Sequence, residues 1–92
     1  MEREKTLERK LAKEVKKAGG YAIKLVPLHL SGLPDRMCLF PGGRIVFVEV
    51  KGTGEKPRMI QEFWLKRLAN LGFDARVVDS TGGINEIIEK YA

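Results

Sequence analysis

Residues 32–52 read GLPDRMCLFPGGRIVFVEVKG, two apolar runs divided by Pro41-Gly42-Gly43. A short Pro/Gly turn between runs of β-forming residues predicts an antiparallel hairpin, with strands over 35–40 and 44–51. Side chains alternate along a strand, so Glu49 and Lys51 project from one face while Val48 and Val50 face the other way. Asp35 opens the first strand, and the turn folds the second strand back beside it. Two carboxylates and a lysine are therefore expected at one edge of an otherwise apolar hairpin.

The elements on either side complete a sheet. Leu7, Leu11, Val15 and Ala18 form one apolar stripe of a helix over 3–18, which Gly19-Gly20 stops. YAIKLVP, 21–27, reads as the first strand, and LHLSGLP, 28–34, as a connecting loop. After the hairpin, GTGEKP (52–57) suits a loop leading into a helix over 58–71, with Ile60, Trp64, Leu68 and Leu71 as its buried face and Gly72 as its stop. Residues 74–80 read as a strand. Beyond Thr81-Gly82-Gly83, the stripe Ile84, Ile87, Ile88 and Tyr91 marks a last helix. The order αβββαβα predicts an α/β fold: three strands in a meander, then a helical crossover that lets the fourth lie parallel to the third.

At 92 residues the expectation is one domain, 1–92. One cysteine excludes an internal disulfide, and the apolar runs are far shorter than a membrane span, so a soluble, cytoplasmic protein is expected. The net charge is +5, and the surplus is local: residues 1–17 hold seven basic and four acidic groups, and residues 51–67 hold five basic and two acidic. Such a surface suits a phosphate backbone, although solvated helix faces would give the same charge. The loop GTGEKPR lacks the Gly-Lys-Ser/Thr ending of a nucleotide-binding P-loop, which argues against an ATPase. His29 stands alone in a loop and gives no zinc site. Cys38 has no base partner and reads as a small core residue, and Trp64 on its helical stripe also reads as core.

Two neighbouring carboxylates repel unless a cation sits between them, and hard oxygen ligands of this kind suit Mg²⁺ or Mn²⁺. A lysine alongside could orient a water or neutralise charge developing on a phosphate, which is the chemistry of phosphodiester hydrolysis. The plainer reading is a surface ion pair between Glu49 and Lys51, with Asp35 capping a turn.

The wider pattern favours the first reading. Pro34-Asp35 followed across a hairpin by Glu49-Val50-Lys51 resembles the P-D…(D/E)-x-K signature of the restriction-endonuclease-like superfamily. More narrowly, the chain resembles a stand-alone VRR-NUC (virus-type replication-repair nuclease) domain: a helix ending in Gly-Gly, the entry Gly32, Pro34, Asp35, Arg36, then PGG, FVEVKG, a proline soon after, and Gln61 opening the next helix. This implies that Asp35 and Glu49 ligate the metal, that the Val50 carbonyl adds a ligand, and that Lys51 is the catalytic lysine. It also implies a supporting glutamine, Gln61, and a glutamate on the first helix. Glu4 fits best, and Glu8 shares its helix face. Lys24, Arg36, Lys56 and Arg58 are the candidates for phosphate contact, with pairing to an acid as the other reading of Arg36.

The resemblance further implies a metal-dependent, structure-selective DNA endonuclease, a homodimer that resolves Holliday junctions in a bacterial cell or phage-infected host. A flap or junction nuclease is the alternative within enzymes. A catalytically silent nucleic-acid-binding module, or a subunit-interaction domain, is the alternative outside them.

Overall fold

The computed structural model describes residues 1–26 and 30–92, so His29 lies outside the described residues. The elements follow the expected order: α1 (Glu4–Lys17), β1 (Tyr21–Lys24), β2 (Arg36–Phe40), β3 (Arg44–Val50), α2 (Met59–Asn70), β4 (Asp74–Val78) and α3 (Thr81–Tyr91). They build an α/β fold around one mixed sheet with spatial order β1-β2-β3-β4. The first two pairings are antiparallel and β3–β4 is parallel. A parallel neighbour needs a crossover, and α2 supplies it.

Alternation along β3 divides the molecule into layers. Val46, Val48 and Val50 are wholly buried against Leu7, Leu11 and Val15 of α1 and Ile84 and Ile87 of α3. Each such aliphatic side chain contributes roughly 1.5–3 kcal/mol by leaving water. The opposite face of β3 carries Phe47 and Glu49 and is met by α2 and its exit: Phe47 packs edge to face on Phe73, and Gln61 reaches Glu49.

The structure corrects two boundaries and one helix face. β1 pairs only as far as Lys24, opposite Arg36, so Leu25 and Val26 fall outside it, and position 27 of the expected strand lies outside the described residues. α3 begins at Thr81 and includes Gly82 and Gly83, because the Ser80 hydroxyl accepts from the Gly83 N–H at 3.1 Å and caps the helix ahead of the glycines. In α2 the inward face is set by Gln61 and Leu68, whereas Trp64 is half-buried and Ile60 and Leu71 are 40% and 69% exposed. This helix is apolar on more than one side, so its spacing of apolar residues did not single out one face.

A polar cluster ties the end of the chain to the start of β4. Asp74 accepts from Arg76 through both oxygens at 3.1 and 2.6 Å, from the Tyr91 hydroxyl at 2.6 Å and from Lys90 at 3.3 Å. Burial pushes the Asp74 carboxyl up, but these hydrogen bonds and the Arg76 charge outweigh it and hold the pKa at about 2, against 3.8 for a free aspartate. The folded form therefore binds its proton more weakly than the unfolded chain does. The stabilisation is present above about pH 4 and is lost as pH falls through 2. Asp74→Asn should cost about 2 kcal/mol at pH 7, with the gap to wild type closing by pH 2 in urea titrations run across that range.

Candidate active site

The site lies where β2 begins and β3 ends. Pro34 has no N–H with which to extend the β2–β3 ladder, and the Asp35 side chain takes over: its Oδ2 accepts the Val50 N–H at 2.9 Å. The Asp35 carbonyl accepts from Leu25 N at 2.9 Å, which fixes the same residue to the end of β1. Gly32 sets the approach of this loop. Its φ is +86°, and a Cβ there would lie 2.7 Å from the Ile60 side chain and 2.9 Å from the Ile60 carbonyl. Only glycine lets the loop before Asp35 seat against the first turn of α2, where Gln61 sits.

Glu49 is 1% exposed. Gln61 donates to its Oε2 at 2.9 Å, and Lys51 Nζ stands 3.4 Å from the same oxygen. Gln61 is itself oriented, because its Oε1 accepts the Arg58 N–H at 2.8 Å. Glu49 Oε1 is buried and has no hydrogen-bond partner among the described residues. A buried carboxylate oxygen left unsatisfied is costly, and a cation or a proton is what would relieve it. Burial, and then the Asp35 charge, push the Glu49 pKa up to about 7, against the partial opposition of Lys51.

The acids contributed by α1 part company. Glu8 is engaged: its Oε1 accepts from Arg36 Nη2 at 2.8 Å and Nε at 3.1 Å, and Lys24 Nζ lies at 3.8 Å. Arg36 also donates to the Ala22 carbonyl at 2.9 Å, so its guanidinium is held between α1 and β1. Glu4 is exposed, and its pKa is raised by partial burial and then by the Asp35 charge, with Lys51 opposing. It lies within electrostatic reach of the hairpin acids. A groove of about 610 Å³ opens beside it, lined by Glu2, Arg3, Gly52, Thr53 and Glu55 among others. Lys24, Lys56 and Arg58 are exposed; the Arg58 N–H bonds Gln61, and Lys24 stands beside Glu8.

Among the described residues no three acidic, His or Cys side chains are gathered tightly enough to hold a metal by themselves. Two neighbouring carboxylates with a third further out would suit an ion that keeps much of its water shell, as Mg²⁺ does, and the unpartnered Glu49 oxygen would be free to meet it.

Two contacts here have no signature in the sequence. Glu55 closes the turn after Lys51 by accepting the Gly52 N–H at 2.6 Å. Glu2 bonds to Thr53 and Thr81, far along the chain. The first lies within a turn, and the partners of Glu2 stand 51 and 79 residues away.

Comparison with protein families matches the VRR-NUC domain over residues 2–82. The chain belongs to the VRR-NUC family. A relative from Acyrthosiphon pisum secondary endosymbiont phage 1, named "Putative nuclease p44", is 45% identical over 78 residues, which span 85% of this chain and 84% of that protein. A solved VRR-NUC domain superposes over the whole of both chains with TM-score 0.89 and 30% identity. A second VRR-NUC domain protein, 19% identical, shares the fold over 97% of this chain and 87% of its own, with TM-score 0.66. As a VRR-NUC domain the chain is a nuclease, and nucleic acid is its substrate class. No helix among its described residues is long and apolar enough to cross a membrane.

Proposed function

We propose that this VRR-NUC domain is a divalent-metal-dependent, structure-selective DNA endonuclease that works as a homodimer on four-way junctions. The observation that carries the metal is the buried, unpartnered Oε1 of Glu49 beside Asp35, with Lys51 Nζ 3.4 Å from the other Glu49 oxygen. Asp35, Glu49 and the Val50 carbonyl would hold Mg²⁺ or Mn²⁺, with Glu4 completing the cluster. The ion would polarise the scissile phosphate and lower the pKa of the attacking water.

The chain's own groups do the rest. Gln61 fixes the Glu49 carboxylate through Oε2 and leaves Oε1 for the ion. Burial and the Asp35 charge hold the Glu49 pKa up to about 7, so an ion bound there would displace a proton near neutral pH. The Lys51 ammonium stands where it can orient the water and offset charge developing on the phosphate. Lys24, Lys56 and Arg58 border the site and would track the DNA backbone, giving affinity that falls with salt. Arg36, engaged by Glu8, would act on phosphate only by exchanging that partner.

The homodimer draws support from the outer side of α2 and its exit, where Met59, Phe63, Leu71 and Phe73 are 85%, 52%, 69% and 40% exposed. Exposed large apolar side chains on one helix and the turn that follows it suit an interaction surface. Two sites related by a two-fold axis could nick opposed strands of a junction. Such work belongs in the cytoplasm of a bacterium or phage-infected host.

The test is cleavage of end-labelled four-way junction, 5′ flap, duplex and single-stranded DNA in Mg²⁺, Mn²⁺ or EDTA, with mass measured by light scattering. Paired, symmetric nicks in the junction, absent in EDTA, together with a dimer mass, are the expected result. Preferential cutting of the flap by a monomer would instead identify a flap nuclease. Salt-sensitive binding without any cleavage would make the domain a binding module.

A further inference from the structure

The residues ahead of α1 are pinned across the far side of the site by Glu2. Its backbone N–H donates to Thr53 Oγ1 at 2.8 Å, and its carbonyl accepts the Thr53 N–H at 2.9 Å. Its carboxylate accepts the Thr81 N–H at 2.9 Å through one oxygen and the Thr81 hydroxyl through the other. Thr53 Oγ1 in turn donates to the Asp79 carbonyl at 3.1 Å, and Lys10 Nζ donates to Thr81 Oγ1 at 3.0 Å. All four polar atoms of Glu2 are thus committed, and they join three pieces of chain: the segment before α1, the turn after Lys51 and the start of α3.

The placement matters because of what stands next to each anchor. Glu4 lies two residues after Glu2, and Lys51 two residues before Thr53. The first turn of α1 has no side-chain cap of its own, since Arg3 at the N-cap position makes no such bond. An uncapped first turn frays readily, so something else must fix where Glu4 points. The Glu2 clasp is the contact present to do it.

We infer that Glu2 is a positioning residue: by bonding Thr53 and Thr81 it fixes the chain that leads into Glu4, holds that carboxylate near the hairpin acids and thereby sets the affinity of the site for its divalent cation. The inference rests on the metal-dependent reading above. Residues that orient metal ligands from behind typically change metal affinity 10- to 100-fold when removed. A residue that only braced the fold would lower thermal stability and leave the affinity of the surviving folded protein unchanged.

The experiment measures Mn²⁺ binding directly, by the loss of the free-ion electron paramagnetic resonance signal, with thermal melts in EDTA run in parallel. Wild type, Glu2→Ala, Thr81→Val, Glu4→Gln, Glu49→Gln and the double variant Glu2→Ala/Glu4→Gln are compared. Glu2→Ala should weaken Mn²⁺ binding about tenfold. Glu4→Gln should weaken it by a similar factor, and the double variant no further, because both changes remove the same ligand. Thr81→Val, which deletes one of the two carboxylate anchors and keeps the side chain's shape, should give a smaller shift in the same direction. It serves as the deciding variant if Glu2→Ala does not fold.

Wild-type Mn²⁺ affinity in Glu2→Ala and Thr81→Val, with only the melting temperature lowered, would overturn the inference. Fully multiplicative losses in the double variant would also overturn it. If Glu49→Gln abolishes binding while Glu2→Ala leaves it intact, the metal site stands and the clasp falls alone. If wild type itself takes up no Mn²⁺, both fall together.

Discussion

Glu49→Gln should abolish DNA cleavage and at the same time raise the melting temperature of the metal-free protein at alkaline pH. The carboxyl is buried beside Asp35, and its pKa stands at about 7 in the fold against 4.5 in the free residue. The folded form therefore holds its proton to higher pH than the unfolded chain does. Without metal, wild type loses stability as pH rises above 4.5, and the loss is complete above about 7. Two and a half units correspond to roughly 3 kcal/mol.

Glutamine at 49 cannot ionise and keeps an acceptor for Gln61, so it escapes that loss. The attraction of Lys51, only 14% exposed, already offsets part of that burden in wild type, so the variant's gain is at most about 3 kcal/mol. Cleavage should fall by about 10³-fold or more, because the charged ligand is gone. Melts from pH 5 to 9, in EDTA and in Mg²⁺, separate the two effects: Mg²⁺ should flatten the wild-type slope and leave the variant unchanged. A variant less stable than wild type at pH 8.5 in EDTA would show that the buried charge is not the burden described.

Gly20→Ala should be the most damaging single methyl group in the chain. A Cβ at this position would lie 2.0 Å from the Leu39 carbonyl oxygen, 3.1 Å from its carbon and 3.3 Å from Phe40 Cα, all of them backbone. No side chain can swing aside to make room. Gly20 is held from the other direction as well. Its N–H donates to the Val15 carbonyl at 3.0 Å while Gly19 N–H donates to Lys16, the two-bond closure that ends many helices. Accommodating the methyl means either opening the end of α1 or shifting Tyr21 from Leu39 and with it the whole β1–β2 register. Either costs about 3 kcal/mol or more, a large share of what a domain of this size has. Urea unfolding of the purified variant measures it, and a loss below 1 kcal/mol would mean that the helix end and β1 are more compliant than their packing indicates.

What could be read from the chain alone was whatever repeats at a short period. The hairpin, the common face of Glu49 and Lys51, and the parallel return of β4 follow from alternation, a Pro-Gly-Gly turn and one intervening helix. Gln61 entered through the family resemblance. The failures are equally local. Ile60 and Leu71 look like core by spacing, but α2 turns Gln61 and Leu68 inward because Gln61 must meet Glu49. Gly82 and Gly83 look like a stop, yet the Ser80 hydroxyl starts a helix ahead of them. The pairing of Glu8 with Arg36 spans 28 residues and that of Glu2 with Thr81 spans 79. No periodicity relates such partners, so only the folded chain reveals them.

Asp35 finishes the β2–β3 ladder with the same carboxyl group that would hold the metal in the proposed chemistry. Descent acts on the two duties unequally. A lineage that drifts to asparagine here keeps an acceptor for the Val50 N–H and gives up only the negative charge. Drift to alanine strands a backbone N–H at the price of about 1–3 kcal/mol as well. A descendant that abandoned cutting while retaining its shape would therefore pass far more readily through asparagine at this position than through a small apolar residue.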